Sequence, residues 1–473
     1  MALSACTVGP DYMRPPAPEP VKYKELKGWK QATPMDAVDR GAWWTVFRDP
    51  KLDSLESRVV ISNQTIAQTE AAYRTAQALL KEAQSGLFPT VTGNYANNDA
   101  HSGAKSSGAS TGTASTRDTF KATANAAWTP DIWGKVRRSI ESDVSGAQLS
   151  AADIAVATLS AQATLATAYF NLRAVDALKD LLDQTAKEYQ RTLTITQHQY
   201  AAGTVSKADV ATADAQLLNT QAQAINTGVA RAQYEHAIAV LIGEPPAELT
   251  ITPVAFKYVL PSIPVSLPAT LLERRPDIAA AERAMQQENA LIGVAVAAYY
   301  PNIGLSGLFG FSGRGGLAAS LANEVWSLGV TGAQTIFDGG LTSATVDAAR
   351  ATYDQSVASY RQTVLSAFQG VEDQLAALRI LSQQAKVQDQ AVRAAQEEVD
   401  VLLNQYAAGT VAFTAVVVGQ AQLLSNQESA LTIRQDRFLA AVALIQDIGG
   451  GWDTSQLPSS AALEGANPLT PRL

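Results

Sequence analysis

A six-residue sequence occurs twice in this chain. It reads Tyr200-Ala201-Ala202-Gly203-Thr204-Val205 and returns further along as Tyr406-Ala407-Ala408-Gly409-Thr410-Val411. The downstream sequence Ala215-Gln216-Leu217-Leu218 is repeated at the same spacing, as Ala421-Gln422-Leu423-Leu424. Agreement at one fixed spacing indicates an internal duplication. Because a glycine between two helical segments is typical of a helix end and a tight turn, each copy predicts the tip of a helical hairpin.

Proline placement allows very long helices around both repeated turns. No proline lies within 131–244 or within 302–457, and proline breaks the interior of a helix. From Val346 to Leu378, apolar residues recur every three or four positions, which is the spacing of a coiled coil. The stretch 136–200 is also compatible with one helix. About 65 residues at roughly 1.5 Å each predict a rod on the order of 100 Å long.

Four segments alternate apolar residues with small or polar ones, as β-strands do. Two precede the first long helix, at about 90–128, and two precede the second, at about 302–335. Each has about ten residues, the length of a tilted strand in an outer-membrane barrel. The segment 97–119, rich in Ser, Gly, Thr and Asn, and the segment 312–325 are predicted to be exposed loops.

One chain has too few strands to close a barrel in a membrane. Membrane barrels have at least about eight strands, and an open sheet edge in lipid leaves backbone groups without hydrogen bonds. If the strands enter a membrane, several chains must share one barrel, and three copies would contribute twelve strands. Terminal aromatic residues favour a girdle at the membrane interface, namely Trp128, Phe311 and Trp326. The alternative, small water-soluble hairpins on a helical bundle, stays open.

Composition narrows the class of protein. The chain has 473 residues and a formal net charge of −8, whereas nucleic-acid-binding proteins normally carry a basic patch. Its single cysteine excludes a disulfide framework and a cysteine-based zinc site. No run approaches the 18 apolar residues of a membrane-spanning helix, which argues against a helical membrane protein. The three histidines are isolated, and the glycine pattern at 313–318 lacks a βαβ unit, so no catalytic, cofactor or metal site is predicted.

The N-terminus carries a lipoprotein-like signal. Leu3-Ser4-Ala5-Cys6 has the small residues that precede a lipid-modified cysteine, and acyl chains on Cys6 would tether the chain to a membrane surface. The alternative is a free surface cysteine. Only five residues precede Cys6, so the charged and apolar regions of a signal peptide are missing, and the start is interpreted as truncated or re-engineered. The prolines that follow predict an extended strap.

With these features, the chain resembles the TolC-like outer-membrane factors, in the lipoprotein branch (NodT/OprM type) that serves tripartite efflux pumps. The residues that carry the resemblance are Cys6-Thr7-Val8-Gly9-Pro10-Asp11-Tyr12, Trp43-Trp44, Phe47, Leu272-Glu273-Arg274-Arg275-Pro276-Asp277-Ile278, Pro301, Phe337-Asp338-Gly339-Gly340 and the two Gly-Thr tips. The resemblance implies a mainly α fold with a small β part. Three chains would form a 12-stranded transmembrane β-barrel, continuous with a coiled-coil α-helical tunnel through the periplasm.

Prolines and the duplication divide the chain into five parts. Residues 1–49 form the lipid-anchored strap, 50–243 the first repeat, 244–268 a Pro-rich linker, 269–449 the second repeat and 450–473 a C-terminal tail. The resemblance implies that the linker and the tail form an equatorial belt around the tunnel.

The resemblance also implies a function and partners. The protein would be a passive trimeric exit duct for drugs or other small molecules, in the bacterial outer membrane, with no enzymatic activity. A periplasmic adaptor (membrane fusion protein) would contact the tips, and an inner-membrane RND-type pump would supply the energy. The tip residues are Gly203, Thr204, Gly409 and Thr410. A duct for type I protein secretion and a coiled-coil scaffold outside the membrane are the alternatives.

The periplasmic end has a sequence of its own. In several relatives a ring of aspartates narrows this end just after the second tip, but the matching positions here are Ala415 and Val418. Together with Thr414 and Gln422, they predict an apolar constriction, which can gate a pore by dewetting. The equally open alternative is that these residues are simply helix-packing positions.

Overall fold

The structure, a computed structural model, describes most of the chain but not all of it. The described residues are 7–17, 20, 22–25, 42–103, 114–254, 260–261, 274–314 and 323–465. Cys6 therefore lies outside the described residues, as do Leu272-Glu273 and large parts of the predicted strap, linker and tail.

Helices dominate the described residues, and two pairs of strands interrupt them. The elements are α1 (Pro50–Ser62), α2 (Gln64–Ser85), β1 (Thr90–Ser102), β2 (Ser115–Trp128), α3 (Lys135–Ala201), α4 (Lys207–Leu241), α5 (Pro276–Val296), β3 (Asn302–Arg314), β4 (Glu324–Ala333), α6 (Leu341–Ala407), α7 (Phe413–Asp447) and α8 (Ser460–Glu464). Short 3-10 turns lie at Trp43–Phe47, Pro246–Glu248, Ala297–Tyr299 and Thr454–Gln456.

The duplication is visible in the helices. Both long helices, α3 and α6, have 67 residues, and both return helices, α4 and α7, have 35. The starts of α3 and α6 are separated by the same spacing as the two tip sequences, and so are the starts of α4 and α7. At about 1.5 Å per residue, each long helix spans on the order of 100 Å. The predicted long helical hairpins are therefore present, with the glycine tips where the sequence placed them.

An aspartate starts each long helix. The carboxylate of Asp131 accepts hydrogen bonds from the backbone N–H groups of Val136 (2.9 Å) and Arg137 (3.0 Å). The carboxylate of Asp338 accepts one from the backbone of Thr342 (2.8 Å). The first N–H groups of a helix have no hydrogen-bond partner within the helix, and these carboxylates supply one. Their negative charge also interacts favourably with the positive end of the helix dipole. The two aspartates thus mark where strand gives way to helix.

Each return helix is continued, end to end, by an earlier helix of the same repeat, which is α2 in the first repeat and α5 in the second. The Asn63 side chain donates to the carbonyl oxygen of Leu241 at 2.8 Å, which joins α4 to α2. In the second repeat, Arg275 donates to the carbonyl oxygen of Asp447 at 2.8 Å and joins α7 to α5. Arg275 is also ion-paired with Asp277 at 2.8 Å. These contacts cap the carbonyl ends of the return helices, so that two shorter helices run beside each long one.

The main core lies at the middle of the long helices. Phe170 packs against Phe47 and Phe438, with ring centroids 4.9 and 5.0 Å apart, and all three side chains are buried. These rings come from the turn before α1 and from both repeats, so the core fastens the repeats to each other. Buried aromatic rings contribute much of the packing energy in a chain whose helices otherwise bury small alanine side chains.

The strands extend further than predicted. The predicted loop 97–119 is shortened at both ends, because β1 continues to Ser102 and β2 begins at Ser115. The predicted loop 312–325 is also shortened, because β3 continues to Arg314. Ladder hydrogen bonds join backbone groups and do not require apolar side chains, so a polar composition concealed these strand ends.

One helix in the described part of the chain meets the hydropathy criterion for a membrane span. A window of 18 residues in α3 has a mean hydropathy of 1.3. This criterion differs from an uninterrupted apolar run, because polar residues interrupt the alanine-rich sequence of α3 without lowering its average hydropathy below the limit. The helix is about three times as long as a span requires, and it packs along α2, α4 and α5.

Glu56 on α1 is a buried acid. Its side chain is 0% exposed, and neither carboxyl oxygen has a hydrogen-bond partner among the described residues. Burial raises the pKa of this carboxyl to about 9, and the neighbouring Asp53 adds to the rise. The folded protein therefore holds a proton that the unfolded chain releases near the ordinary pKa of 4.5.

We expect the stability of the protein to fall between about pH 4.5 and pH 9 because of Glu56. Glu56→Gln should remove this pH dependence and raise the free energy of unfolding at pH 7 by up to about 3 kcal/mol. This upper value follows because pH 7 lies about 2.5 units above the ordinary pKa of the carboxyl. Melting temperatures of the detergent-solubilised protein across this range provide the measurement. The exposed Glu70 serves as control, and equal pH slopes for Glu56→Gln and Glu70→Gln would contradict the assignment.

Candidate functional site

The four strands form one open antiparallel sheet. Their order is β1-β2-β3-β4, so the sheet joins the two repeats through the pair β2 and β3. Within the residues that the structure describes, β1 and β4 each have a neighbour on one side only. Their outer edges leave backbone N–H and C=O groups free to pair with another strand.

The strand register sorts side chains onto two unlike faces. Gly93, Ala124, Phe309 and Trp326 form one row across the sheet. Because side chains alternate along a strand, every second row lies on this face. The exposed apolar side chains of this face include Val91, Tyr95, Trp326 (69% exposed), Leu328 (82% exposed) and Val330. A row on the opposite face consists of small residues, namely Thr90, Ala127, Ser306 and Gly329.

This contrast suits a barrel wall in a membrane. A lipid-facing side needs apolar residues, and a water-filled interior needs small or polar ones. Trp128, Phe311 and Trp326 all lie on the apolar face. Trp128 is at the helical end of the sheet, where its indole N–H donates to the carbonyl oxygen of Leu87 at 3.1 Å. Phe311 and Trp326 lie toward the opposite end, near the loop between β3 and β4.

The sheet is joined to the helices at an aromatic contact. Trp133 stacks on Tyr300 with ring centroids 4.9 Å apart, and its indole N–H donates to the carbonyl oxygen of Pro301 at 2.7 Å. Below this contact lies a cavity of about 1110 Å³, whose lining includes Glu82 and Asp143. Burial, with Glu82 adding to it, raises the pKa of the Asp143 carboxyl. Charged groups in this lining require water or polar partners.

The two tips have the same backbone geometry. Gly203 and Gly409 both adopt φ of 76°, a left-handed conformation that favours glycine. In the first tip, the backbone N–H and the hydroxyl of Thr204 both donate to the carbonyl oxygen of Gln199, each at 2.9 Å. The second tip repeats both bonds at the same distances. Glycine and threonine therefore end each long helix in the same way.

The two hairpins of the chain are joined near these tips. The Tyr406 hydroxyl and the Thr196 hydroxyl are 3.2 Å apart, and the Tyr406 ring packs on Phe413. The side-chain amide of Gln420 on α7 donates to the hydroxyl of Thr192 on α3 at 3.1 Å. Both hydrogen bonds link the first repeat to the second.

The predicted constriction residues lie on one side of α7. Thr414, Val418 and Gln422 are exposed and Ala415 is half-buried, whereas Val416 on the other side of the helix is fully buried. In the described chain these four side chains do not form the packed core of the hairpin. The surface that they line faces away from it.

The duplicated tips differ in charge just beyond the turn. In the first repeat, Ser206 and Asp209 form a capping box at the start of α4. The equivalent residues of the second repeat, Ala412 and Ala415, form no side-chain cap. An acid is thus retained in the first tip, a feature that counting from the second tip alone did not reveal.

The N-terminal strap runs along the helices from the sheet end. A Cβ added to Gly134 would lie 2.8 Å from Thr7, so the strap passes directly over the start of α3. The backbone N–H of Val8 donates to the carbonyl oxygen of Trp133 at 3.1 Å. Arg138, which is 3% exposed, pairs with Asp11 at 2.8 Å. Arg138 also pairs with Glu141 on its own helix at 2.7 Å. Sequence reasoning did not predict the contacts with the strap, because the strap is distant in sequence from α3.

The described residues show no group of three His, Cys, Asp or Glu side chains arranged to hold a metal ion. The structure has instead an open sheet with one apolar face, two long helical hairpins and two exposed tips. These features define an elongated protein of the channel type, with a small membrane-type sheet at one end and long helices that extend from it.

Comparison with known proteins identifies the family. The family model for outer membrane efflux proteins matches residues 55–244 and 267–450. The chain therefore belongs to the outer membrane efflux protein family.

Individual relatives agree along nearly the whole chain. The pyoverdine export outer membrane protein OpmQ of Pseudomonas aeruginosa is 27% identical, over 96% of both chains. Nodulation protein T of Rhizobium leguminosarum is also 27% identical, over 96% of both chains. The solved structure of the outer-membrane channel OprN has a TM-score of 0.85 and 27% identity, covering 94% of this chain and 100% of that one. The predicted family, fold class and general function, an outer-membrane channel for efflux, are confirmed.

We expect the two faces of the sheet to tolerate charge differently. Leu328→Arg places a charge on the apolar face and should destabilise the membrane-inserted protein by about 2–4 kcal/mol. Ser327→Arg puts the same side chain on the opposite face of the same strand and should be tolerated. Recovery of each variant from purified outer membranes provides the measurement. Equal recovery of the two would contradict the assignment of the faces.

Proposed function

We propose that three copies of this chain form a passive exit duct for drugs or other small molecules. The observation that carries the proposal is the sheet, which has one exposed apolar face and, among the described residues, two unpaired outer edges. A single such sheet cannot lie in lipid, because its edge groups would have no hydrogen-bond partners. Pairing β4 of one copy with β1 of the next removes every edge, and three copies give a closed barrel of twelve strands.

The helical parts of the three copies would then line the tunnel below the barrel. Helices on the order of 100 Å reach deep into the periplasm, and the tunnel needs no catalytic group to conduct. The mass of the detergent-extracted oligomer tests the assembly. Three chains per particle are expected, and a folded single chain would favour the scaffold alternative.

We propose that Cys6 carries a lipid anchor in the inner leaflet of the outer membrane. The support is the position of its neighbour Thr7, which lies over Gly134 at the junction of the sheet and the helices. Since Cys6 directly precedes Thr7, an acylated Cys6 would join the chain to the membrane at this junction. Acyl chains there add to the anchoring by the barrel. The mass of the N-terminal peptide from membranes reports acylation.

The exposed tips are the proposed contact with a periplasmic adaptor, a membrane fusion protein. An inner-membrane RND-type pump below it would supply the energy for export. The support is geometric, since Gly203, Thr204, Gly409 and Thr410 are all exposed at one end of the hairpins and form two equivalent turns. Two equivalent turns per chain would present six similar contacts to the adaptor.

Large side chains introduced at both tips should prevent binding of the adaptor to the duct. We expect Thr204→Arg combined with Thr410→Arg to abolish export and adaptor co-purification, because charged side chains would be buried in the contact. The trimer should still assemble, since the tips are far from the sheet. Thr75→Arg, at an exposed position of α2, is the matched control. Undiminished co-purification with the double variant would exclude the tips as the contact.

The periplasmic end is proposed to close at an apolar constriction. Val418 is 69% exposed in the chain, on the same side of α7 as Thr414, Ala415 and Gln422. Three valines brought together in a narrow pore exclude water and therefore ions. Selection for cations by an acidic ring is not expected, because these positions carry no carboxylates.

Carboxylates placed at the constriction should change its permeation. We expect Ala415→Asp or Val418→Asp to wet the constriction and to raise the cation-to-anion permeability ratio about threefold or more. Ser429→Asp adds the same charge about three turns further along the exposed side of α7 and serves as control. Single-channel recordings in planar lipid bilayers provide the measurement. An unchanged ratio would favour the packing alternative for these residues, and a trimer that never conducts would overturn the duct.

A further inference from the structure

The charged residues of the sheet are divided completely between its two faces. The arginine and lysine residues of the four strands lie on the same face as the row of small residues, here called the polar face, and they are Arg117, Lys121 and Arg314. The acids of the four strands lie on the apolar face, and they are Asp99, Asp118 and Glu324. The two faces of the sheet therefore carry charge of opposite sign.

The three bases form one group across β2 and β3, here called the basic cluster. Arg314 stands directly opposite Thr119 in the register, and Arg117 and Lys121 lie two positions to either side of Thr119 on β2. Diagonal neighbours of this kind are roughly 7–8 Å apart, so the long side chains of all three residues can reach one anion.

Nothing within the described chain neutralises the basic cluster. Arg117, Lys121 and Arg314 are all exposed. None of them forms an ion pair among the residues that the structure describes. The acids of the sheet are turned to its other face, and the polar face of the strands carries no carboxylate. The cluster is therefore free to attract a negatively charged group.

The basic cluster lies at the end of the sheet that is remote from the helices. Lys121 stands opposite Ser312, next to the aromatic Phe311, and Arg314 lies two residues further out on β3. At about 3.4 Å per residue, Arg117 lies roughly 14 Å beyond Lys121 along β2. The cluster thus begins at the level of the outer aromatic residues and continues beyond it.

The division of charge argues against membrane lipid as the partner of the basic cluster. Lipid would contact the apolar face, where Asp99 stands directly opposite Asp118. Phosphate groups of lipids are negatively charged, so on this face they would meet acids and not bases. The bases point toward the water-filled side of the sheet, where dissolved molecules pass.

We propose that the basic cluster binds small organic anions with two or more negative charges, such as organic phosphates and dicarboxylates, at the outer mouth of the duct. The proposal rests on the trimer of the proposed function, in which the polar face lines the interior. Three copies would place nine positive charges around the mouth. Guanidinium groups bind carboxylates and phosphates through paired hydrogen bonds, which favours these anions over chloride.

The size of the barrel allows the charges to act on the whole passage. Twelve strands about 4.8 Å apart and tilted by about 40° close a barrel with a backbone diameter of roughly 24 Å. The centre of the mouth is then roughly 12 Å from the backbone, and the long side chains bring their charges closer to it. Because salt screens charges over about 8 Å, an anion anywhere in the mouth is attracted. Small organic anions are therefore the class of cargo that the barrel favours.

Block by inorganic pyrophosphate tests the basic cluster in planar bilayers of a neutral lipid, in buffer without divalent cations. Pyrophosphate added on the side of the sheet should reduce the current through the trimer. Lys121→Gln combined with Arg314→Gln should raise the half-blocking concentration about tenfold or more, because the mouth loses six of its nine charges. If pyrophosphate does not block the unchanged protein, or blocks the double variant equally, the cluster is not an anion site.

Two matched variants separate the cluster from general effects of charge. Asp99→Asn combined with Asp118→Asn changes charge near the same end of the sheet but on the apolar face, and it should leave the half-blocking concentration unchanged. Arg74→Gln combined with Lys81→Gln removes two exposed cations from α2 and should also leave it unchanged. If the α2 variant weakens block as much as the cluster variant does, overall charge is the cause and the site is wrong.

Binding without conduction provides a second measurement. Calorimetric titration of the detergent-solubilised trimer with pyrophosphate should show binding that the variant with Lys121→Gln and Arg314→Gln loses. A trimer that conducts but neither binds pyrophosphate nor is blocked by it overturns the anion site alone. A single-chain particle overturns the proposed trimer, and the site with it. If the same variant instead loses co-purifying lipopolysaccharide while its block is unchanged, the cluster contacts lipid and the proposal is wrong.

Discussion

Unsatisfied backbone groups at the edges of the sheet are the constraint on which the rest of this structure depends. Four strands cannot be closed by one chain, and lipid offers no hydrogen bonds to an open edge. The chain therefore needs further copies of itself to close the sheet, and the helices that follow the sheet must fit the same multi-chain arrangement. The apolar face, the capped starts of α3 and α6 and the stacking of Trp133 on Tyr300 all serve this requirement.

The second requirement is that the helices be long. The duplication meets it, because the same pattern of one long helix and one return helix occurs in both repeats. A helix as long as α3 cannot bury one continuous stripe against a single short partner. The chain instead stacks α4 on α2 and α7 on α5, with Asn63 and Arg275 at the junctions. Small alanine side chains allow these helices to approach closely, and large aromatic rings are concentrated where the two repeats meet.

The sequence was most informative where geometry leaves little choice. Gly203 and Gly409 predicted the tips, because a left-handed turn between helices favours glycine. Proline-free windows predicted the long helices, and alternation predicted the strands. The ends of β1 and β2 were hidden, since polar residues such as Asn97 and Thr116 pair through their backbones. The sequence also did not reveal the break between α1 and α2 at Asn63. This break depends on α4, which meets the start of α2 and is distant from it in sequence.

Contacts between distant segments could not be predicted for the same reason. Asp338 was visible as part of a motif, but the role of Asp131 and Asp338 as helix caps required coordinates. Nothing in the sequence indicated that Asp11 of the strap would pair with the buried Arg138.

The close correspondence of the two halves has one more consequence. A half-length ancestor with two strands and one hairpin could build the same cylinder from six copies, but every junction in that ring would be chemically identical. Fusing two halves broke this equivalence. The junction within a chain and the junction between chains could then change independently of each other.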